Sequence, residues 1–363
     1  MKDFNFFSKK LITWYSSHKR NLPWRGIYDP YKIWISEVIL QQTRVTQGLK
    51  YYNRFIKRFP DIESLAGVEE QEVLKYWQGL GYYSRARNLH RTAKTIMDKY
   101  NGVFPKDYYT ILKLKGIGEY TASSITSFAW NMPHPTVDGN VFRFLSRLFA
   151  IDCPIDTIKG KNHFTELAIQ LMDKSKARIF NHAIMEFGAL QCIPSSPNCT
   201  VCSFKSVCLA YINHTVVQYP VKQYRTKIKE IYFYYFHIHD SDHLYLNMRK
   251  EKGIWQNLFE FPLIESDILM DFQQLSNTDQ FRLWFPKKHI YHFELIVKNQ
   301  KHILSHRILY AYFYKVFMKR IPNSFDTFKK VKLMEIDKYP IHRLMQFYLG
   351  KILPFNRFIS TFE

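Results

Sequence analysis

The sequence lacks any uninterrupted apolar stretch long enough to span a bilayer, which excludes a membrane-spanning helix. Its N-terminus alternates polar and apolar side chains at helical spacing and lacks the small-residue cleavage site of a secretory signal peptide. Phe7, Leu11 and Trp14 share one face of this predicted helix, which favours packing in a core. Internal repeats and low-complexity tracts are also missing. We therefore expect a cytoplasmic protein, and 363 residues suffice for two domains with their own cores.

Acidic residues are scarce relative to basic ones. The chain has 31 Asp and Glu against 52 Lys and Arg, which gives a formal net charge of +21. This excess predicts a polyanionic partner. A membrane surface is the competing interpretation, but no apolar stretch long enough to span a bilayer supports it. Affinity for nucleic acid should fall steeply with salt, because phosphate contacts release counterions.

Cysteine is also scarce, yet four of the five cysteines lie within 17 residues. Cys192, Cys199, Cys202 and Cys208 have the spacing C-x6-C-x2-C-x5-C. Structural zinc usually takes two short knuckles that are well separated, and the tandem ferredoxin run is absent. The spacing favours one [4Fe–4S] cluster, with a zinc loop or two disulfides as the alternatives. Thiolates kept for a metal agree with a reducing cytoplasm.

The first part of the chain, to about residue 210, has a helical pattern. Asp29-Pro30 provides a capped helix start, and Ser84 opens a helix that Asn101-Gly102 ends. Further helices are predicted over residues 119–130, 138–150, 161–173 and 176–190.

The residue composition changes from about residue 230 onward. Segments rich in β-branched and aromatic residues predict strands at 231–239, 243–249 and 302–316. Strands followed by short helices predict an α+β second domain. The basic, glycine-free stretch VKQYRTKIKE (221–230) between the two parts predicts a linker.

A turn with two glycines precedes one of the predicted helices. In LKLKGIGEYTASSI (112–125), Gly116 and Gly118 form a tight turn that leaves backbone amides pointing out of a helix N-terminus. Such amides bind phosphate without reading sequence, and Lys113 and Lys115 add positive charge. The hydrophobic residues around the turn favour a helix–hairpin–helix motif over an ordinary helix–turn–helix corner.

Two carboxylates are candidates for acid–base chemistry. Glu37 lies within the apolar helix segment IWISEVIL, where burial would raise its pKa and allow it to act as an acid near neutral pH. The alternative is a glutamate at the helix edge that reaches solvent. Asp138 precedes a predicted helix in PTVDGNVFR, so it is either a helix cap or a carboxylate near the bound phosphate.

Five motifs in this order resemble a known family. They are SEVILQQTRV, QGLGYYSRARNLH (78–90), LKGIGEYTA (114–122), VDGNVFR (137–143) and the four-cysteine loop. Together they resemble the MutY family of adenine DNA glycosylases, within the helix–hairpin–helix superfamily. The resemblance covers almost the whole chain, densely over 22–208 and more sparsely after 230.

The resemblance implies a multidomain architecture. It comprises an all-α helix–hairpin–helix glycosylase domain with an iron–sulfur module at 1–212, a linker at 213–229, and an α+β Nudix-like lesion-recognition domain at 230–355. The hairpin motif occupies about 110–130 and the iron–sulfur loop 192–208, holding one [4Fe–4S] cluster. The implied partner is double-stranded DNA with A·8-oxoguanine or A·G mispairs, bound by a monomer at the nucleoid.

The resemblance also implies catalytic roles. Glu37 would protonate adenine at N7, and Asp138 would stabilise the sugar oxocarbenium ion through a covalent sugar–enzyme adduct that water later opens. The two roles parallel those of the paired carboxylates in glycoside hydrolysis. Tyr120 and Asn140 would orient Asp138; the alternative for them is helix packing and a cap. Relatives resembling endonuclease III carry a Schiff-base lysine where this chain has Tyr120, so a monofunctional glycosylase is expected.

DNA and base contacts follow from the same motifs. The residues that would line the adenine pocket, fill the gap beside the partner base or hold phosphate are Trp24, Arg25, Gln42, Leu80, Tyr82, Gly116 and Gly118. Loop packing is the alternative for Tyr82. His182 replaces the usual Gln or Glu near the adenine edge, which changes that contact and introduces a group able to titrate near neutral pH.

The second domain resembles the Nudix-like domain that reads 8-oxoguanine. RKEKGIWQNLFEFP (249–262) matches a family stretch, while the Glu-rich run of active Nudix hydrolases is absent, so this domain should bind without hydrolysing. Ser305 and His306 match lesion-contacting residues, with Leu304 where the family has Phe. A polar pair within a strand is their alternative. Rival functions are an endonuclease III-like glycosylase/lyase for oxidised pyrimidines and a non-catalytic lesion-binding protein.

Overall fold

The computed structural model describes residues 4–224, 228–238, 240, 242–287, 289–318 and 320–353. The backbone divides into two compact units, one of residues 1–68 with 88–225 and one of residues 69–87 with 226–363. The predicted linker and second domain include residues 225–227 and 354–355, which lie outside the described residues. The domain boundaries inferred from the sequence therefore stay predictions.

Helices make up the regular structure of the first unit. In chain order, and including α5 of the second unit, they are α1 (Phe4–His18), α2 (Pro30–Leu40), α3 (Val45–Arg58), α4 (Ile62–Ala66), α5 (Glu70–Trp77), α6 (Ser84–Tyr100), α7 (Tyr108–Leu112), α8 (Glu119–Trp130), α9 (Gly139–Phe149), α10 (Ile158–Leu171), α11 (Ala177–Leu190) and α12 (Leu209–Ile212). The division between the units falls inside α6, after Arg87.

Local sequence signals account for the ends of these helices. The Asp29 side chain accepts the backbone N–H groups of residues 31 and 32, and Pro30 occupies the first turn of α2, as predicted. Asn101 and Gly102 adopt the left-handed conformation after α6. Helix α10 begins three residues before its predicted start, because Thr157 caps it by accepting the Gly160 N–H at 3.0 Å.

The first unit has an aromatic core beneath α1, α9 and α11. Phe7, Leu11 and Trp14 are buried in it, which confirms the predicted apolar face of α1. Phe144 and Phe187 bring α9 and α11 into the same core, with ring centroids 4.5 Å apart. Helices α9 and α11 are therefore fixed against each other, which matters for the side chains that they present to the site.

Strands dominate the second unit. They are β1 (Lys229–Ile238), β2 (His243–Met248), β3 (Phe259–Glu260), β4 (Leu263–Ser266), β5 (Tyr291–Ile303), β6 (Arg307–Met318) and β7 (Lys329–Lys332), with helices α13 (Phe272–Ser276), α14 (Asp279–Trp284) and α15 (Arg343–Ile352). One sheet has the order β4-β1-β6-β5, in which β1 and β6 are parallel and the other pairs antiparallel. The second sheet has the order β3-β2-β7. The α+β prediction for this part is confirmed.

The predicted strand at 302–316 is wrong in its details. Strand β5 ends at Ile303 and β6 begins at Arg307, so Ser305 and His306 lie in the turn between two antiparallel strands. The alternative of a polar pair within a strand is therefore wrong. Sequence reasoning missed most of β5 because its charged residues, such as Lys298 and Lys301, obscure the β pattern.

No helix among the described residues is both long and apolar enough to cross a membrane.

Candidate active site

Glu37 is a buried acid that is held by a tyrosine. It lies on α2 with 6% of its surface exposed, so the alternative of a solvent-reaching glutamate is wrong. The Tyr120 hydroxyl, at the start of α8, donates a hydrogen bond of 2.7 Å to Glu37 Oε2. Burial raises the pKa of Glu37, and the hydrogen bond from Tyr120 and the charge of Arg25 oppose this only in part. The carboxyl group can therefore carry a proton nearer to neutral pH.

Asp138 caps α9 and is oriented by its neighbours. Its Oδ1 accepts the backbone N–H groups of Asn140 and Val141, each at 2.9 Å. The Asn140 side-chain amide donates to Oδ2 at 2.7 Å. Desolvation raises the pKa of Asp138, against these three donors, which favour the carboxylate. The predicted cap is therefore real, and the same geometry leaves a fixed carboxylate at the helix start.

The structure brings the two carboxyl groups into one site. The charge of Asp138 raises the pKa of both Glu37 and Tyr120, so it lies within electrostatic reach of them. Tyr120 is hydrogen-bonded to Glu37 and not to Asp138, while Asn140 contacts Asp138 directly. The pair thus separates into an enclosed acid and a hydrogen-bonded carboxylate, each with its own orienting side chain.

Arg143 is a site residue that the sequence reasoning missed, although it closes the motif VDGNVFR. Its guanidinium donates to Asn140 Oδ1 at 2.8 Å, to the Gly188 carbonyl at 2.5 Å and to the Cys192 carbonyl at 2.7 Å. Asn140 therefore has its oxygen engaged and its amide turned to Asp138. At Gly188 an added Cβ would lie 2.5 Å from the Asn140 carbonyl oxygen, so glycine permits this close approach.

A buried ion pair lies beside the site and was also missed. Glu186 on α11 accepts from Arg20 Nε and Nη2, both at 2.7 Å, and from Arg25 Nη2 at 3.2 Å. Burial alone would raise the pKa of Glu186, but the two arginines bring it below its ordinary value. Glu186 is therefore a carboxylate that anchors Arg25, the predicted pocket residue.

His182 contacts Arg25 and is enclosed by aromatic rings. Arg25 Nη1 donates to His182 Nδ1, so the neutral ring carries its proton on Nε2. The imidazole stacks on Phe128, with centroids 3.9 Å apart. Desolvation and the charges of Arg25 and Arg178 lower the pKa of His182 well below its ordinary value. The expectation that His182 titrates near neutral pH is therefore wrong.

Arg25 and His182 form part of the wall of a cavity of about 740 Å³ in the first unit. Its other basic lining residues are Lys19, Arg20, Lys176 and Arg178, and Tyr15 and Tyr28 provide aromatic surface. The cavity can accept a planar or anionic group. Trp24, the other predicted pocket residue, is buried and packs edge-on against Tyr52 at 5.1 Å.

The glycine turn lies between α7 and α8. Gly116 has φ +80°, and an added Cβ there would lie 2.5 Å from the Asn88 side chain. The Thr92 hydroxyl donates to the Lys115 carbonyl at 2.8 Å and fixes the turn on α6. Gly118 is the N-cap residue of α8, and both glycines are exposed. This geometry agrees with the predicted phosphate seat.

The four predicted cysteine ligands line one small cavity of about 20 Å³. Arg147 donates to the carbonyls of Ile193 and Pro194 at 2.7 and 2.9 Å and lies 3.5 Å from Cys192 Sγ, so it holds the loop. The Phe204 N–H lies 3.4 Å from Cys202 Sγ, and burial raises the pKa of that thiol to about 11. Over the described residues, no three His, Cys, Asp or Glu side chains form a group that could hold a metal ion. Four cysteine thiols around one cavity still match the ligand chemistry of an iron–sulfur cluster.

One of the predicted wedge residues contacts one of the predicted lesion residues. Tyr82 has φ +47° and is 45% exposed, and its hydroxyl contacts the Ser305 hydroxyl within the second unit. Leu80 is buried, so its side chain packs within the protein. Gln42, in the first unit, is exposed with φ +54°. The structure thus joins Tyr82 to Ser305, two residues that the sequence placed 223 positions apart.

Comparisons with known proteins agree with this picture. The model of the HhH-GPD superfamily of base excision DNA repair proteins matches residues 35–168, and that of the NUDIX domain matches residues 234–351. The adenine DNA glycosylase of Buchnera aphidicola subsp. Baizongia pistaciae is 37% identical over 84% of each chain. That of Arabidopsis thaliana is 37% identical over 70% of this chain and 46% of its own length. A solved thermostable thymine-DNA glycosylase is similar over 58% of this chain and 97% of its own, with 28% identity and a TM-score of 0.54.

Replacement of Glu37 by Gln should stabilise the protein at alkaline pH. Because burial raises the pKa of Glu37, the folded chain binds this proton more tightly than the unfolded chain does. The stability due to the protonated form is therefore lost as the pH rises through the folded-state pKa. We expect Glu37→Gln to gain about 1 kcal/mol or more at about pH 8, and the gain to vanish below about pH 4.

Denaturant unfolding across this pH range measures the effect. Parallel curves for wild type and Glu37→Gln, or a gain that grows toward acid, would contradict the assignment of a raised pKa.

Proposed function

The chain belongs to the adenine DNA glycosylases of the HhH-GPD superfamily of base excision DNA repair proteins, and from that premise we propose that it removes adenine mispaired with 8-oxoguanine or guanine in duplex DNA. It is a hydrolase that cleaves the N-glycosidic bond of adenine. The observation that carries the proposal is the pairing of buried, protonatable Glu37 with the oriented carboxylate Asp138. A base must leave the duplex stack before such groups can reach it.

We propose that Glu37 is the general acid. Its raised pKa keeps a proton available, and transfer of that proton to adenine N7 makes the base a better leaving group. Tyr120 donates to Oε2, which leaves the other carboxyl oxygen to present the proton. Tyr120 also occupies the position of the Schiff-base lysine of bifunctional relatives. The product is therefore an abasic site in an intact strand.

Asp138 acts on the sugar in this proposal. As the glycosidic bond breaks, positive charge develops at C1′, and a carboxylate fixed by Asn140 and the start of α9 stabilises it. The same carboxylate can form a transient bond to C1′ that water then opens. Arg143 supports this step indirectly, because it holds Asn140 in the orientation that faces Asp138.

The remaining predicted residues are assigned to DNA binding. The hairpin amides at Gly116 and Gly118 bind phosphate, with Lys113 and Lys115 adding charge. Trp24, Arg25 and His182 receive the flipped base, and Gln42 fills the gap that it leaves. In the second unit, Leu80 and Tyr82 wedge beside the partner base, and Ser305 and His306 contact the opposite 8-oxoguanine. With its proton on Nε2, His182 offers the base a hydrogen-bond donor. We propose that the protein acts as a monomer on nucleoid DNA in the cytoplasm.

The cofactor in this proposal is one [4Fe–4S] cluster, held by Cys192, Cys199, Cys202 and Cys208. The thiols line a common cavity, which supports the assignment. Such a cluster would fold the loop around it and present Lys205, which is exposed, to a phosphate. Its role is structural, so the chemistry rests on the side chains of the first unit.

The first experiment is an excision assay under single-turnover conditions. Excess protein with a labelled duplex carrying A opposite 8-oxoguanine should give strand cleavage at the adenine only after hot alkali. Asp138→Asn should reduce the rate by at least about a hundredfold with duplex binding retained, because Asn caps a helix as well as Asp does. Cleavage without alkali would indicate a lyase, and no cleavage with tight binding would indicate a non-catalytic binder.

Lesion reading is tested by the double variant Ser305→Ala, His306→Ala. We expect its ratio of excision rates, 8-oxoguanine over guanine opposite adenine, to fall about tenfold, since a hydrogen bond to the lesion is lost. The rate at A·G pairs serves as the internal control. An unchanged ratio would show that the first unit alone distinguishes the two partners.

The cluster is tested by Cys199→Ser, with Cys153→Ser as the matched control outside the loop. The first variant should lose bound iron and its DNA affinity, because an incomplete ligand set cannot hold the cluster and the loop then loses its shape. The control should keep both. Metal analysis of the purified wild type decides the identity of the ion, and zinc in place of iron would contradict the proposal.

A further inference from the structure

The segment Arg249–Leu258 forms a tight loop in the second unit that the proposed function leaves without a role. Within it the Asn257 N–H donates to the Arg249 carbonyl at 2.7 Å, and the Arg249 N–H donates to the Leu258 carbonyl at 3.0 Å. Trp255 and Asn257 both have left-handed backbone angles, φ +57° and +65°. The loop is therefore a closed, sharply bent structure and not an open connection.

Buried contacts fix this loop to the sheet beneath it. The Trp255 ring stacks on His342, with centroids 3.9 Å apart and planes at 9°. Arg249 pairs with Glu260 at 2.7 Å and with Glu265 at 2.6 Å. Glu260 and His342 are themselves buried and 3.1 Å apart. A loop held by a buried ion pair and a stacked ring has little freedom to move relative to its unit.

The other side of the loop holds the segment 69–87, which belongs to the same unit. Asn257 Nδ2 donates to Glu70 Oε1 at 2.6 Å, and Gln71 Nε2 donates to the Asn257 carbonyl at 3.1 Å. At the far end of the segment, Arg87 Nη1 donates to the Gln256 carbonyl at 2.9 Å. Both ends of the segment are thus attached to residues 256 and 257.

Between these two attachments the chain turns through Tyr82. The Gly81 carbonyl accepts from Trp77 Nε1 at 3.1 Å and from Arg85 Nη2 at 3.2 Å. The guanidinium of Arg85 lies 5.6 Å from the Tyr82 ring centroid. The Tyr82 hydroxyl contacts Ser305. A turn that is fixed internally and attached at both ends places this tyrosine at one defined position.

We propose that the loop Arg249–Leu258 is a clamp that positions Tyr82 beside Ser305, and that Asn257 is therefore a positioning residue for recognition of 8-oxoguanine. This rests on the proposed function, in which Tyr82 wedges beside the 8-oxoguanine that Ser305 contacts. Asn257 does not touch the tyrosine. It acts through Glu70 and Gln71 on the start of α5, and Gln256 acts through Arg87 on the first turns of α6.

The test exchanges donor and acceptor in the Asn257–Glu70 hydrogen bond. Asn257→Asp opposes two carboxylates at this contact, while Asp tolerates the left-handed backbone as Asn does. The double variant Glu70→Gln, Asn257→Asp restores a donor opposite an acceptor. Asn257→Gly removes the side chain, keeps the backbone angle accessible, and serves if the aspartate variant fails to fold.

The readout is the ratio of single-turnover excision rates for adenine opposite 8-oxoguanine and opposite guanine. Asn257→Asp should lower this ratio about tenfold, or about 1.4 kcal/mol, with the rate at A·G pairs within about twofold of wild type. The double variant should recover the ratio. Amide hydrogen exchange over residues 78–84 of the free, full-length protein should be faster in Asn257→Asp and return to wild-type protection in the double variant.

Several outcomes overturn the clamp. They are an unchanged ratio in both Asn257 variants, an equal fall at both mispairs, and failure of the double variant to recover. The Ser305→Ala, His306→Ala variant distinguishes failure of the clamp from failure of the lesion assignment. If it lowers the ratio while Asn257→Asp does not, the clamp fails and the lesion assignment stands. If neither variant changes the ratio, the lesion assignment itself fails.

Discussion

The buried guanidinium of Arg143 is the point on which the catalytic unit depends. Three segments meet there, because it donates to the side chain of Asn140, to the carbonyl of Gly188 on α11 and to the carbonyl of Cys192 at the start of the cysteine loop. An amide whose oxygen is taken by arginine must turn its nitrogen elsewhere, and here it turns to Asp138. The orientation of the Asp138 carboxylate is thus set by helix packing and by the loop that would hold the cluster.

Glu37 and Asp138 lie in the same unit but in environments that favour different protonation states. Glu37 is enclosed and accepts from the Tyr120 hydroxyl, and burial is the largest influence on its pKa and favours the protonated acid. Burial raises the pKa of Asp138 as well, but three N–H donors at the start of a helix oppose this shift and favour the carboxylate. Burying Glu37 costs stability at alkaline pH, and that cost is tied to its ability to donate a proton. In the proposed function, the same burial of Glu37 that favours proton donation also lowers the stability of the folded protein at alkaline pH.

Local features of the fold could be predicted from the sequence, and non-local ones could not. The cap at Asp29 and the stop at Asn101 depend on residues adjacent in the chain, so their helices lie where they are expected. The Glu186–Arg20 pair spans 166 positions, and no local sequence pattern around either residue indicates its partner. The turn at Ser305 was hidden because a hairpin without glycine, proline or asparagine in its tip resembles a continuous strand.

The placement of the segment 69–87 in the second unit is another non-local feature that could not be predicted from the sequence. This segment lies inside the stretch 35–168 that matches the HhH-GPD model, yet the backbone groups it with the second unit. Two hydrogen bonds account for this: the Asn257 side chain donates to Glu70, and Arg87 donates to the Gln256 carbonyl. Such long-range contacts leave no periodic pattern in the sequence. The consequence is functional. In the proposed function the chemistry rests on side chains of the first unit, whereas Tyr82 shares the unit of Ser305. From that proposal we expect a substitution in the loop Arg249–Leu258 to alter which mispair is chosen without altering how the glycosidic bond is broken.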